Sequence, residues 1–286
     1  PAIGTGSRPR RERAVDATIR LLNTMLPMLY ALAVVAYAVD FFREDPFAAR
    51  AARVLMETIL GLHALFIGLR TALYEHVPLA STAEVMTTVA FALALVYLFV
   101  EWRSKVRKTG MFLISFSFVF QTVSSAFISN RSFPGVLRSP LFALHTVTAV
   151  LGYTAFAASA VYGLLFLLLY HELKKSRFGI VYQRLPPLEV LARMSLGAVA
   201  FGLAFLTVTV LCGALWAASE FPGFSRDPKF LLTVAVWTVY LAALLLHHGL
   251  HWTGRRTIAV SLVGFALLVF SFVAALLWLT SFHVFA

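Results

Sequence analysis

Apolar positions in this chain gather into long runs separated by short polar joints. Runs of spanning length occupy roughly 20–42, 53–74, 82–102, 110–129, 141–170, 188–218, 230–250 and 257–284. One helical crossing of a bilayer takes about 20 apolar residues. The pattern therefore predicts an all-α, polytopic membrane bundle of about eight transmembrane helices. The fifth, sixth and eighth runs exceed the thickness of a bilayer and are expected to tilt or project beyond it. The joints carry the usual helix breakers: Asp45-Pro46, Pro78, Pro134-Gly135, Pro186-Pro187 and Pro222-Gly223. This divides the chain into a basic arm over 1–19 and one membrane domain over 20–286.

Composition points the same way. The 286 residues are 60% hydrophobic and 13% charged, with a mean hydropathy of +0.84, more apolar surface than a soluble globule of this length can bury. The net charge of +11 fits loops that face anionic lipid. Nucleic acid is not expected, since no basic patch is interleaved with base-stacking aromatics. The single cysteine, Cys212, lies inside an apolar run, which excludes an intramolecular disulfide or a cysteine-built zinc site. No small-residue cleavage site follows Arg8–Arg13, so no cleaved signal is expected.

Charge also sets an expected orientation. Arg103, Lys105, Arg107 and Lys108 lie between the third and fourth runs. Lys174, Lys175, Arg177 and Arg184 lie between the fifth and sixth, and Arg255 and Arg256 between the last two. The positive-inside tendency places these loops in the cytoplasm and both chain ends outside. The arm, with Arg8, Arg10, Arg11 and Arg13, pulls the other way and is outweighed by three loops. The expected location is the bacterial inner membrane, with outer loops and C-terminus periplasmic.

Eight histidines carry the candidate chemistry. Imidazole is the common axial ligand of haem iron, and an ionisable group inside a bilayer is costly enough to need a partner. His63 falls about 15 Å into the second helix at 1.5 Å per residue. It reads either as a packing histidine or as a ligand. Arg70 lies seven residues on, on the same face, placed to meet a carboxylate. His76, in the turn before the third helix, reads as structural, with Glu84 bonding across the turn. His247, His248 and His251 cluster at the inner end of the seventh helix, and His247 points deepest. His171 reads as solvated.

His145 opens the fifth helix and His283 nearly closes the eighth, so both fall at the outer level. Between them in sequence lies an outer loop with Trp216, Phe221 and Phe224 on or beside it, followed by Asp227-Pro228-Lys229. Aromatic rings flanked by two imidazoles suit a flat, apolar, iron-bearing ring. Arg226, Arg138 and Arg131 are placed to neutralise its propionates.

These segments resemble the cytochrome c assembly family, the CcsA/ResC-type haem-handling proteins and their HemX/YpjD-like relatives. The resemblance rests on RTALYEHVPLASTAEV (Arg70–Val85), LFALHTVTAVLGY (Leu141–Tyr153), LPPLEVLARMS (Leu185–Ser195), FLTVTVLCGALWA (Phe205–Ala217), the Asp227–Lys229 triplet and HWTGRRTIAVSLVGF (His251–Phe265). It covers the second to eighth helices. It implies haem b held between His145 and His283 beside an aromatic outer loop, with His63 as the first membrane histidine. The second membrane position falls on Leu245, so His247 serves only with a two-residue shift. The family's WGxYWxWDPKE is FPGFSRDPKF here, a departure that bears on cytochrome c ligation more than on haem binding.

The implied function is cytochrome c maturation or haem delivery, without catalysis by this chain alone. Implied partners are haem, membrane lipid, an apocytochrome and a ResB/Ccs1-like protein. Two other readings stand beside it. One is a haem b electron-transfer subunit of a larger respiratory or photosynthetic complex, using His63 and His247. The other is a haem-free HemX-like accessory or regulatory protein.

Overall fold

The computed structural model describes residues 10–74, 76, 78–79, 81–104, 108–128, 140–176, 178–220, 224–250, 252 and 254–277. The helices among them are α1 (Arg10–Arg43), α2 (Pro46–Tyr74), α3 (Thr82–Ser104), α4 (Gly110–Phe127), α5 (Pro140–Lys174), a short α6 (Ile180–Arg184), α7 (Leu188–Glu220), α8 (Pro228–Gly249) and α9 (Arg255–Leu277). A 3-10 turn spans Phe224–Arg226. Eight of these helices, all but α6, are long and apolar enough to cross a membrane. The chain is a multi-pass, all-α membrane protein, as its apolar runs predict.

The helix starts show how local chemistry sets boundaries. Asp45 caps α2, accepting from the Phe47 and Ala48 backbone N–H groups at 3.1 and 3.3 Å. Asp227 does the same for α8, accepting from Lys229 and Phe230 at 2.9 and 3.0 Å. Both aspartates precede a proline, which fits the first helical position because its missing N–H would have no intrahelical partner. α1 starts at Arg10 and α2 at Pro46, ahead of the apolar runs at 20 and 53. Hydropathy registers only the part of a helix that lies in lipid. The polar extension of α1 is held instead by an Asp16–Arg20 ion pair at 2.6 Å and by the Tyr74 hydroxyl donating to Asp16.

The bundle has two groups. α1 to α4 pack on one another, and α5 joins them to α7, α8 and α9. α5 is the most enclosed span, with 72% of its apolar window buried. Its closest neighbour is α7, and small residues set that distance. A Cβ on Gly152 would meet the Gly202 carbonyl at 3.3 Å, and a Cβ on Gly202 would meet the Phe156 ring at 2.5 Å. Phe156 cannot withdraw, because it stacks flat on Tyr240 at 3.7 Å between centroids. Ser159 bonds to both Ser195 and Ser261 at 3.0 Å, tying α5 to α7 and α9.

Polar groups inside the first group are paired at three levels. At one end, Arg70 and Glu84 form a fully buried ion pair at 2.9 Å. At mid-height, His63 lies between Tyr30 and Thr87. At the other end, Glu101 accepts from Arg53 and Tyr37, Lys108 donates to Asp40, and Arg184 of α6 pairs with Glu44. Hydrocarbon offers no hydrogen bonds, so these groups find their partners within the protein.

Two glycine substitutions separate packing from propensity. Gly202→Ala gains up to ~1 kcal/mol of helix propensity but forces a methyl against Phe156, an overpacking cost of about 1–3 kcal/mol. The expected result is a lower melting temperature in detergent. Gly61→Ala, where a Cβ meets nothing within 4 Å, is expected to hold or raise it.

Candidate functional site

α5 brings His145 against α7 one turn before Trp216. The His145 Nδ1–H donates to the Thr209 carbonyl at 2.9 Å. That carbonyl is one helical turn below residue 213, and residue 213 is glycine. A Cβ there would lie 2.6 Å from His145 Nδ1 and 2.8 Å from Cε1, so the missing side chain is what lets the imidazole reach the backbone of α7. With Nδ1 protonated, the ring's lone pair is on Nε2.

The imidazole borders a cavity of about 80 Å³ at the end of the bundle where α5 and α8 begin and α7 ends. Phe142, Tyr153, Trp216, Phe230 and Phe272 give it aromatic walls, and Ser81, Thr82, Thr209, Thr233 and Lys229 add polar groups. Trp216 is buried and lies 5.1 Å from Phe142 between centroids. Among the described residues, the site thus combines an oriented imidazole, an aromatic surround and the Lys229 cation.

Of the residues singled out in the sequence, the fold brings His145 and Trp216 together. Asp227 is spatially adjacent, and its carboxylate caps α8. Arg226 is exposed on the 3-10 turn. Phe224 belongs to the same turn, and its side chain is outside the described part. Phe221, Arg131, Arg138 and His283 lie outside the described residues.

The membrane histidines sit elsewhere. His63 is fully buried, with both nitrogens engaged. Thr87 gives its only proton to Gln121 Oε1 at 2.7 Å. Its oxygen therefore accepts from His63 Nε2–H at 2.9 Å, and His63 Nδ1 accepts from the Tyr30 hydroxyl at 3.1 Å. Gln121 Nε2 completes the chain by donating to Ser125. This network joins α1, α2, α3 and α4. His247 lies two residues from the end of α8, and its Nδ1 donates to the Trp252 carbonyl at 2.7 Å.

Arg70 has Glu84 as its carboxylate, and Glu84 also meets His76 Nε2 at 3.2 Å across the α2–α3 turn. His76 Nδ1 is 3.1 Å from the Tyr74 carbonyl. A carboxylate and a carbonyl both only accept, so both imidazole nitrogens carry protons and His76 is an imidazolium. Beyond this cluster the same turn supplies Leu79, Ser81 and Thr82 to the His145 cavity.

Lys229, Phe142 and Gly213 were not singled out as site residues in the sequence. Lys229 had a readable signal, since the second position of a helix capped by Asp227 falls level with His145. Gly213 and Phe142 had none, because their role depends on how α5 meets α7.

The family profile described as cytochrome C assembly protein matches residues 106–283. HemX of Bacillus subtilis (strain 168) is 27% identical over 206 residues, covering 71% of this chain and 75% of the relative. Cytochrome c biogenesis protein CcsA of Guillardia theta is 26% identical over 235 residues, covering 73% and 77%. HemX of Brevibacillus brevis is 23% identical over 228 residues, covering 78% and 84%.

The Glu84 carboxylate, foremost, holds the His76 pKa above the usual 6.5, against partial burial and the nearby Arg70 guanidinium. A raised folded-state pKa stabilises the protein fully below the unfolded value and is lost as pH rises through the folded value. Melting temperature is therefore expected to fall as pH climbs from 6.5 through the folded pKa. His76→Gln is expected to flatten that part of the profile, and thermal unfolding in detergent across the range checks it.

Proposed function

Because the chain belongs to the cytochrome c assembly protein family, we propose that it handles haem b, holding it through His145 for cytochrome c maturation or haem delivery. The observation that carries this reading is the Nδ1–H bond from His145 to the Thr209 carbonyl. Histidines that ligate metals commonly donate their other N–H to a carbonyl or carboxylate, which fixes ring and tautomer and raises basicity. His145 has this arrangement, with Gly213 making room for it.

The surrounding residues fit one edge of a porphyrin. Trp216 and Phe142 offer aromatic faces, and Lys229 offers a charge for a propionate. A volume of about 80 Å³ lies well below the ~300 Å³ at which ligand pockets begin, so the body of the ring lies outward of the cavity. The proposed second ligand is His283, with Phe221, Phe224, Arg226, Arg131 and Arg138 as the proposed outer contacts. When bound, haem supplies an iron centre with exchangeable axial positions. The protein's residues orient His145, shield the ring's edge from water and balance its charge.

In this reading the His145 end faces the periplasm of a bacterial inner membrane. Lys108, Arg184, Arg255 and Arg256 gather at the other end, where the positive-inside tendency puts the cytoplasm. Relatives of this chain are named as CcsA and HemX proteins. The partners proposed with this reading are an apocytochrome and a ResB/Ccs1-like protein, with the chain forming no bonds alone.

His63 supports the first reading over electron transfer through the bundle. Iron ligation there requires the bond to Tyr30 or to Thr87 to open. His247 lies 19 residues from the start of α8, whereas His63 lies 11 residues from the corresponding end of α2. At 1.5 Å per residue they differ in depth by about 12 Å, too much for one axial pair in upright helices.

The test is visible absorption of the detergent-purified protein titrated with haem. Gly213→Ala is expected to weaken haem binding ~10–100-fold, the usual cost of losing the partner behind a ligand. His145→Ala is expected to weaken it further, and His63→Ala to leave the Soret band in place. Full haem retention by His145→Ala would overturn the assignment. A wild-type protein with no Soret band after supplementation would favour the haem-free accessory reading.

A further inference from the structure

A second, almost entirely apolar cavity of about 50 Å³ adjoins the His145 chamber. The two share Val85, Tyr153 and Phe272 as walls. The lower one runs along Met86 and Val89 of α3 and Leu268 of α9, at the seam between the two helix groups. Val269 and Val273 on its margin are exposed on the outside of the bundle, the side that faces lipid. From Thr82 to Val89 the path descends about 10 Å at 1.5 Å per residue. Taken together as one passage, the adjoining chambers have hydroxyls and a cation at the rim, no polar lining residue below Tyr153, and a border on the bilayer.

Size decides what fits. Each chamber is smaller than the ~150 Å³ that takes up a benzene ring, which excludes a flat macrocycle from the passage but admits a hydrocarbon chain one methylene wide. Charge decides the head. Lys229 lines the upper chamber together with Ser81 and Thr82, and donors of this kind suit a phosphate oxygen. We propose that this passage is a binding site for an anionic phospholipid. Its phosphate lies against Lys229 and the Ser81 and Thr82 hydroxyls, one acyl chain descends between α3 and α9, and the other stays in the bilayer outside Val269 and Val273. The site is distinct from ligation of haem by His145, but it shares the Lys229 charge, so lipid and propionate compete for that ammonium.

Native mass spectrometry of the full chain tests this, after delipidation and addition of equal phosphatidylglycerol and phosphatidylcholine. The wild type is expected to retain one phosphatidylglycerol per chain at energies that strip phosphatidylcholine. Lys229→Gln is expected to lose that preference about tenfold while still binding either lipid weakly. Met86→Trp, which fills the groove, is expected to lose both. Should Met86→Trp fail to fold, Val273→Trp at the exposed margin closes the same groove from outside. Equal retention of the two lipids by the wild type, or retention unchanged by a folded groove-filling variant, would overturn the proposal. Addition of haem reads the competition separately: displacement of phosphatidylglycerol at one haem per chain supports the shared charge. Lipid retention without a Soret band would leave the lipid site standing and remove the haem reading.

Discussion

A backbone carbonyl in a membrane helix is normally occupied by the N–H one turn on and covered by the side chain there. At Thr209 that cover is missing, because residue 213 is glycine, and the carbonyl takes a second donor from His145. The arrangement of the His145 site follows from this contact. It sets the height at which α5 passes α7, it turns the imidazole so that Nε2 carries the lone pair, and it brings Phe142 against Trp216. The small residues farther down the same seam, Gly152 and Gly202, keep the two helices close enough for the contact to form.

The same rule organises the rest of the bundle. In hydrocarbon a polar group that loses its partner has no water to turn to. The polar side chains of α1 to α4 are accordingly arranged in levels: Arg70 with Glu84 and His76, then Tyr30 with His63, Thr87 and Gln121, then Tyr37 with Glu101 and Arg53. A buried ion pair is weak evidence for stability, since hydrophobic replacements of equal shape do as well. Its use here is positional. Arg70 and Glu84 fix how α2 turns into α3, and that turn forms part of the cavity wall beside His145.

Much of this was legible in the sequence. Apolar run length gives the eight crossings, since each helix must span one fixed thickness of hydrocarbon. The two Asp-Pro pairs mark the starts of α2 and α8 because capping is local chemistry. Segment order and spacing carry the family, and His145 and Trp216 stand out by type and level. What was not legible depends on contacts between distant segments. His63 reads as a packing residue or a ligand until Tyr30, 33 residues earlier, and Thr87, 24 residues later, occupy its two nitrogens. Gly213 is one of 16 glycines, and only the position of α5 distinguishes it from Gly61, which faces open space. Lys229 looked like the tail of a motif, while the more conspicuous Arg226 is exposed on its turn and does not line the cavity.

The most direct measurement is near-infrared magnetic circular dichroism of the protein loaded with ferric haem in lipid nanodiscs, which reports the chemical type of the axial ligands. The account predicts an imidazole-ligated signal that changes when residue 145 is replaced and returns, for His145→Gly, on addition of free imidazole. A signal that is the same with and without the side chain at position 145 would contradict it.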